Sequence, residues 1–252
     1  MSKVYFIGAG PGDPELLTVK GQRIINSAEV IVYAGSLVNK EVLAGARDGV
    51  EIHDSAYMAF EEVMAVLEKG IKEGKTVARV HTGDPAIYGA IQEQMNWLAE
   101  RGIEYEVIPG VSSFLAAAAA LKQEYTLPEV TQTVMVTRME GRTPVPEKEK
   151  LASLARHGAT ICIFLSVGMI EEVVKELQNG YSDDTPIVVA QRVSWPDEKI
   201  VRGTLADIAS KVKAEKITKT ALIIVSPALK NDGAMSKLYD KTFTHEYRKG
   251  SE

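Results

Sequence analysis

Residues 4–17, Val-Tyr-Phe-Ile-Gly-Ala-Gly-Pro-Gly-Asp-Pro-Glu-Leu-Leu, set the terms for the rest of the chain. Val4, Phe6 and Ile7, with Tyr5 among them, read as a buried strand. Gly8, Gly10 and Gly12 let the backbone turn sharply and approach a partner closely. Pro14 suits the first turn of a helix, where its missing N–H is no loss. A strand, a glycine loop and a helix in this order raise the question of a dinucleotide site. That fingerprint asks for a third glycine where Asp13 stands, and for an acid at the tip of the second strand, which ends in Tyr33-Ala34-Gly35. The loop fails as a nicotinamide site on both counts. A tight strand–helix turn with no ligand stays open as the other reading.

The first half of the chain repeats this alternation. Strands are expected over 3–7, 29–33, 76–81 and 105–108, with a weak extended segment at 50–54. Helices are expected over 14–27, 39–44, 60–73, 86–101 and around 116–120. In the 60–73 segment Val63, Val66, Leu67 and Ile71 recur at helical spacing. Such alternation implies a mostly parallel sheet covered on both faces. Ligands of such sheets gather beyond the carboxyl ends of the strands. Three punctuated loops fall there: 8–14, 82–89 and 109–113.

A break near Tyr125-Thr126-Leu127-Pro128 separates an N-terminal α/β domain, 1–124, from a C-terminal one, 125–252. Beyond it the reading gives strands at 133–137, 160–165, 186–191 and 221–225 and helices at 147–156, 169–178 and 205–214. Segment 199–201 with 186–191 reads as a hairpin-like excursion around Val193-Ser194-Trp195-Pro196-Asp197. The polar tail from Lys230 is expected to be partly mobile.

Composition narrows the classes of function. The chain has 252 residues, 45% apolar and 25% charged, which is ordinary for globular domains. A net charge of −5 does not favour nucleic acid or an anionic membrane as a partner. The single cysteine, Cys162, lies in an apolar run and reads as a core thiol. It allows no internal disulfide, so a cytoplasmic location is expected. Neither a signal peptide nor a membrane-spanning apolar run is apparent.

Several familiar chemistries find no anchor. The four histidines, His53, His81, His157 and His245, lack partners at metal-ligand spacing, so no metal site is expected. Residues 70–76 look like a P-loop but are one residue short and lie between a helix and a strand, the reverse of the required order. No Gly-x-Ser-x-Gly elbow is present. His81 closes a strand beside Gly83-Asp84-Pro85, either bonded to backbone or touching a substrate. Asp84 reads as the cap of a helix starting near Pro85 or as a carboxylate facing a crevice, and Ser112 and Ser113 share that ambiguity.

Together, residues 4–33, 79–89 and 109–113 resemble the tetrapyrrole methylase family, and the likeness extends from Lys3 to about Leu229. Three stretches, 81–90, 137–146 and 195–201, resemble the branch that acts on ring carbon C-11 of precorrin-4 or cobalt-precorrin-4 in cobalamin biosynthesis. The Glu-Gly-Arg-Thr-Pro-Val-Pro run at 140–146 discriminates best. The resemblance implies two α/β domains with S-adenosylmethionine folded into the cleft between them, S-adenosylhomocysteine as product, and a homodimer. Carried over by position, the cofactor contacts would be Pro11, Gly83, Asp84, Ile87, Ser112, Ser113, Leu165, Val193 and Ala221. A polycarboxylate substrate calls for local cations, and Arg138, Arg142, Arg79 and Arg192 are candidates by placement. Arg138 and Arg142 are expected to seat the tetrapyrrole with Glu140 orienting one of them, and His81 is a further substrate candidate. Rival readings are a sister methyltransferase acting on another ring carbon of a corrin or sirohaem precursor or on diphthamide, and a non-catalytic cofactor-binding module.

Overall fold

A computed structural model describes residues 2–230, 233 and 235–251. The chain forms two compact units. The first runs to Ala116 and takes in Arg192–Asp197; the second comprises Ala117–Gln191 and the chain from Glu198 on.

The first unit is built on strands β1 (Val4–Gly8), β2 (Val30–Tyr33), β3 (Glu51–Asp54), β4 (Val77–His81) and β5 (Tyr105–Ile108), in the order β3-β2-β4-β1-β5. Every pairing is parallel, with Val4 opposite Val77 on one side and Tyr105 on the other. Helices α1 (Val19–Ser27), α2 (Phe60–Lys72) and α3 (Gln92–Glu100) connect them. Alternate strand residues feed two cores. Ile7, Ile31, Ala78 and Val80 pack with Ile25 and Val42 on one face. Val4, Phe6, Val30, Val32 and Val77 pack with Met64, Leu67 and Leu98 on the other. Burial on both faces explains why β1 and β2 read as continuous apolar runs rather than alternating ones.

The strand order has a consequence that the alternation alone does not give. It sets β4, β1 and β5 side by side and parallel, so the loops after all three leave one edge of the sheet as neighbours. The chain skips past β4 to reach β2 and later returns to it, which makes this a point where the winding reverses.

The second unit holds β6 (Val134–Arg138), β7 (Thr160–Phe164), β8 (Pro186–Gln191), β9 (Lys199–Thr204) and β10 (Ala221–Val225), ordered β6-β7-β10-β8-β9. Only β6 and β7 run parallel; β7–β10, β10–β8 and β8–β9 are antiparallel. The hairpin-like pair is therefore β8 and β9. A core of Ile161, Ile163, Val173, Leu177, Ile187, Ile208 and Ile223 covers one face, packed by α6 (Ile170–Leu177) and α7 (Ile208–Ala214). Helices α4 (Ser113–Leu121) and α5 (Leu151–Ala155) complete the regular elements between β5 and β7.

Four expected helices, α1, α3, α5 and α7, start three or more residues later than the sequence suggests, and the one expected over 39–44 is a 3-10 turn at Lys40–Leu43. Over 14–27, Pro14–Leu16 forms a 3-10 turn, and Thr18 then caps α1 by accepting the Gly21 N–H. Over 86–101 the helix begins only at Gln92, because Tyr88 and Ala90 take left-handed φ values of 55° and 48°. Among the described residues no helix is long and apolar enough to cross a membrane.

Candidate functional site

Three backbones meet at the carboxyl ends of β4, β1 and β5. A Cβ on Gly8 would lie 2.6 Å from the Gly110 Cα and 2.6 Å from the Gly83 carbonyl oxygen. One on Gly110 would lie 2.1 Å from that same oxygen. Only glycine permits this approach. Gly10 and Gly83 exchange backbone hydrogen bonds of 3.2 and 2.7 Å, and the Ala9 N–H donates to the His81 carbonyl at 2.7 Å. The first and second loops are thus joined by a short antiparallel bridge beyond the parallel sheet.

Asp84 ties the second loop to the third. Its Oδ1 accepts the Ala86 N–H at 2.8 Å and its Oδ2 accepts the Gly110 N–H at 2.9 Å. No helix starts at Pro85, so the helix-cap reading of this carboxylate is corrected: it closes a turn and staples two loops. Ile87 is half-buried in that turn, its N–H donating to the Asp84 carbonyl at 3.2 Å. Ser112 is buried, and its carbonyl accepts the first N–H groups of α4, from Leu115 and Ala116. Among the described residues neither the Ser112 nor the Ser113 hydroxyl has a hydrogen-bond partner, so both are uncommitted next to Gly83, whose added Cβ would sit 3.7 Å from the Ser112 Cα.

The first loop is held from outside. Asp13 accepts the Glu15 N–H at the start of the 3-10 turn, and its own N–H donates to Ser194 Oγ at 3.0 Å. A carboxylate does stand near the tip of β2, but it comes from β3. Asp54 accepts from the Ala56 N–H, the Tyr33 hydroxyl and the Gly35 N–H, which hold its pKa below the usual carboxylate range, with burial opposing. These three bonds tie the end of β3 to the turn after β2.

Two cationic candidates on β4 are interior groups. Arg79 is buried; its Nε donates to Gln94 Oε1 at 3.2 Å and an Nη to the Val32 carbonyl at 3.3 Å. Burial lowers its pKa to about 10, which leaves it charged at neutral pH. Gln94 in turn donates to the Ala90 carbonyl, so Arg79 braces the turn before α3 rather than facing solvent. His81 is buried beside Phe6 with no partner on Nε2. Burial, and secondarily the charge of Arg79, push its pKa down to about 3, so it is neutral at pH 7. Val193 is also buried, and Arg192 pairs with Asp197 at 2.7 Å.

In the second unit, Arg138 ends β6 and turns back on its own loop. Its guanidinium donates to the carbonyls of Met139, Thr143 and Pro144 at 3.4, 3.1 and 2.7 Å. Met139 N–H donates to Ser166 Oγ at 2.9 Å, which brings this loop to the end of β7 where Leu165 is exposed at φ 56°. Arg142 and Glu140 are exposed, and among the described residues Glu140 pairs with neither arginine. Ala221 opens β10 opposite Gln191 and is half-buried.

Sequence reading found the three loops but missed Trp195 as a builder of the first. Its Nε1 donates to the Pro11 carbonyl at 2.9 Å. The available signal was a tryptophan beside a proline in a polar excursion, paired with glycines far away in sequence.

Among the described residues there is no group of three His, Cys, Asp or Glu side chains that could hold a metal ion. The site so defined is a glycine-lined cradle of backbone groups and uncommitted hydroxyls, without a nucleophile–base pair. Such a cradle suits a ligand that carries its own reactivity. Residues 3–209 match the family model described as Tetrapyrrole (Corrin/Porphyrin) Methylases, and the chain belongs to that family. It is 59% identical over 249 residues to the cobalt-precorrin-4 C(11)-methyltransferase of Methanocaldococcus jannaschii, covering 98% of this chain and 96% of that protein. The X-ray structure of a cobalamin biosynthetic enzyme, cobalt precorrin-4 methyltransferase, superposes with a TM-score of 0.88 at 50% identity, covering 90% of this chain and 95% of that one. The uroporphyrin-III C-methyl transferase of Thermus thermophilus complexed with S-adenyl homocysteine gives a TM-score of 0.77 at 28% identity, covering 93% and 96% of the two chains.

Proposed function

We propose that this protein is an S-adenosylmethionine-dependent C-methyltransferase acting at ring carbon C-11 of precorrin-4 or cobalt-precorrin-4 in cobalamin biosynthesis. The observation that carries the reading is the cradle at the ends of β4, β1 and β5, where Gly8, Gly83 and Gly110 approach within the space of a Cβ. It occurs in a chain that matches a C-11 methyltransferase over nearly its whole length. Bound S-adenosylmethionine supplies a methyl group already activated on a sulfonium. The chain's own residues then have to align and enclose rather than attack.

Their roles follow from the commitments already described. The loops of Pro11, Gly83, Ile87, Ser112 and Ser113 hold the cofactor through backbone groups and the free serine hydroxyls, while Asp84 fixes the second loop against the third. Leu165, Val193 and Ala221 are the remaining proposed contacts. Arg138 shapes the substrate loop by satisfying its carbonyls. Exposed Arg142 is the group free to meet a substrate carboxylate in a bidentate fork. Glu140 lies on the same loop. His81, neutral and buried, belongs to the floor of the second loop. The protein is further proposed to act as a homodimer, and light scattering at micromolar concentration checks this; a monomer counts against it.

The test is incubation with methyl-labelled S-adenosylmethionine and, separately, precorrin-4 and cobalt-precorrin-4, followed by mass spectrometry and NMR of the product. Label on C-11 with release of S-adenosylhomocysteine supports the reading and tells which substrate is used. Label on another ring carbon makes the chain a sister enzyme. Binding without turnover on either substrate makes it a non-catalytic module.

A further inference from the structure

The first loop is short of internal support. Residues 8–12 contain three glycines, whose conformational freedom is the greatest of any residue type. Yet three consecutive residues are each held by a group from outside the loop. The Pro11 carbonyl accepts from Trp195 Nε1 at 2.9 Å, the Gly12 carbonyl from Asn39 Nδ2 at 2.9 Å, and the Asp13 N–H donates to Ser194 Oγ at 3.0 Å. The indole also lies flush on Gly12, where an added Cβ would meet Trp195 Cδ1 and Nε1 at 2.1 Å.

The segment that does this is itself strained and braced. Arg192 and Ser194 take left-handed φ values of 47° and 68°, which non-glycine residues adopt only when their surroundings fix them. The Arg192 guanidinium lies over the Trp195 ring at 3.9 Å and is held there by Asp197 at 2.7 Å. The Trp195 N–H donates to the Arg192 carbonyl at 2.9 Å, closing the turn. The Arg192–Asp197 segment, the connection between β8 and β9, belongs with the first unit. Arg192, a substrate candidate from sequence, is thereby engaged on both its charge and its face.

We infer that Arg192–Asp197 is a clamp that sets the geometry of the cofactor loop, with Trp195 as its positioning residue. The inference rests on the cofactor reading given above. Pro11 was the loop's proposed contact, and Trp195 acts through it by fixing which way its carbonyl points. Holding a glycine-rich loop in one conformation before the ligand arrives removes an ordering cost from binding. Arg192 keeps the indole in place by stacking on it, and Ser194 fixes the next peptide along.

The test uses the full chain and S-adenosylhomocysteine as the calorimetric probe. Trp195→Phe keeps a ring over Gly12 and under Arg192 but removes the N–H donor. Ser194→Ala removes the acceptor for the Asp13 N–H and leaves the indole alone. Each variant is expected to raise the dissociation constant about fivefold or more, the equivalent of one lost hydrogen bond. The tetrapyrrole KM should stay within about twofold and the melting temperature within a few degrees, which a merely structural role would not produce. Ser194→Ala decides the matter if Trp195→Phe fails to fold. A lower melting temperature with unchanged affinity in Ser194→Ala overturns the clamp while leaving the cofactor reading intact. A wild-type protein that binds no S-adenosylhomocysteine overturns the reading beneath it, and the clamp with it.

Discussion

The two loop systems of this protein are made by different means. In the first unit, shape comes from backbone against backbone: Gly8, Gly83 and Gly110 touch where no side chain fits, and one carboxylate, Asp84, ties them together. In the second unit, the loop after β6 is shaped by a side chain, with the Arg138 guanidinium collecting three of its own loop's carbonyls. The first arrangement tolerates almost no change, because an added atom meets backbone that cannot move aside. The second tolerates some, because an exposed loop can relax. A cofactor common to a family calls for the first kind of construction, and a substrate that differs between its branches for the second.

The sharpest way to break this contrast is Gly8→Ala. Its Cβ would sit 2.6 Å from the Gly110 Cα and the Gly83 oxygen. The expected cost is about 3 kcal/mol in stability, at the upper end for overpacking, together with loss of S-adenosylhomocysteine binding in calorimetry. Gly141→Ala in the second unit is the matched control, since its Cβ would meet only Met169 at 3.5 Å or beyond. Its melting temperature should be close to that of the wild type.

Asp84→Asn should come next. An amide keeps one acceptor oxygen and turns an NH2 group toward a backbone N–H, so either Ala86 or Gly110 loses its partner. A lost hydrogen bond to a charged acceptor is worth about 1.5–3 kcal/mol, so cofactor affinity should fall about tenfold or more with a measurable drop in melting temperature. Unchanged affinity would mean that the staple between the second and third loops is irrelevant to the ligand.

The two arginines of the loop after β6 should separate. Arg142→Lys keeps the charge and loses the fork, so the substrate KM should rise several-fold with stability unchanged. Arg138→Lys should lower the melting temperature first, because one ammonium cannot reach three carbonyls. The reverse pattern would restore Arg138 as the direct contact that the sequence suggested.

Much of the fold was legible. Most strands lie within a residue or so of where apolar runs predict them, because burial on both faces leaves a continuous signal in β1 and β2; β9 runs three residues past its expected end. The helix ends were less legible: nothing in the sequence around Tyr88 and Ala90 announces two left-handed residues, and their side chains suit a regular helix. The loops that gather at one edge were identified from glycine and proline. What the sequence could not show was that β4, β1 and β5 are neighbours, since strand order depends on long-range pairing. The local partners of Asp84, Arg138 and Arg79 were not legible for a related reason: each is fixed by groups whose proximity only the folded chain reveals.

Two smaller effects test the interior. His81 is neutral in the folded state, with its pKa lowered to about 3 from an ordinary value near 6.5. The unfolded chain therefore binds the extra proton between those values, so His81 contributes stability above about pH 6.5 that is lost as pH falls toward 3. Chemical denaturation between pH 7 and pH 4 should show a shallower loss in His81→Gln than in the wild type. Cys162, buried with its thiol pushed up to about 12 by burial, should resist a thiol reagent at pH 7.5 until the chain unfolds.

The most direct test concerns where the cofactor is held. Amide hydrogen exchange read by mass spectrometry, with and without S-adenosylhomocysteine, tests it on the unmodified protein. The expected result is slowed exchange in peptides covering 9–13, 83–87 and 110–113, with little change across 139–146. Binding that protects 139–146 and leaves the three glycine loops unchanged would contradict it.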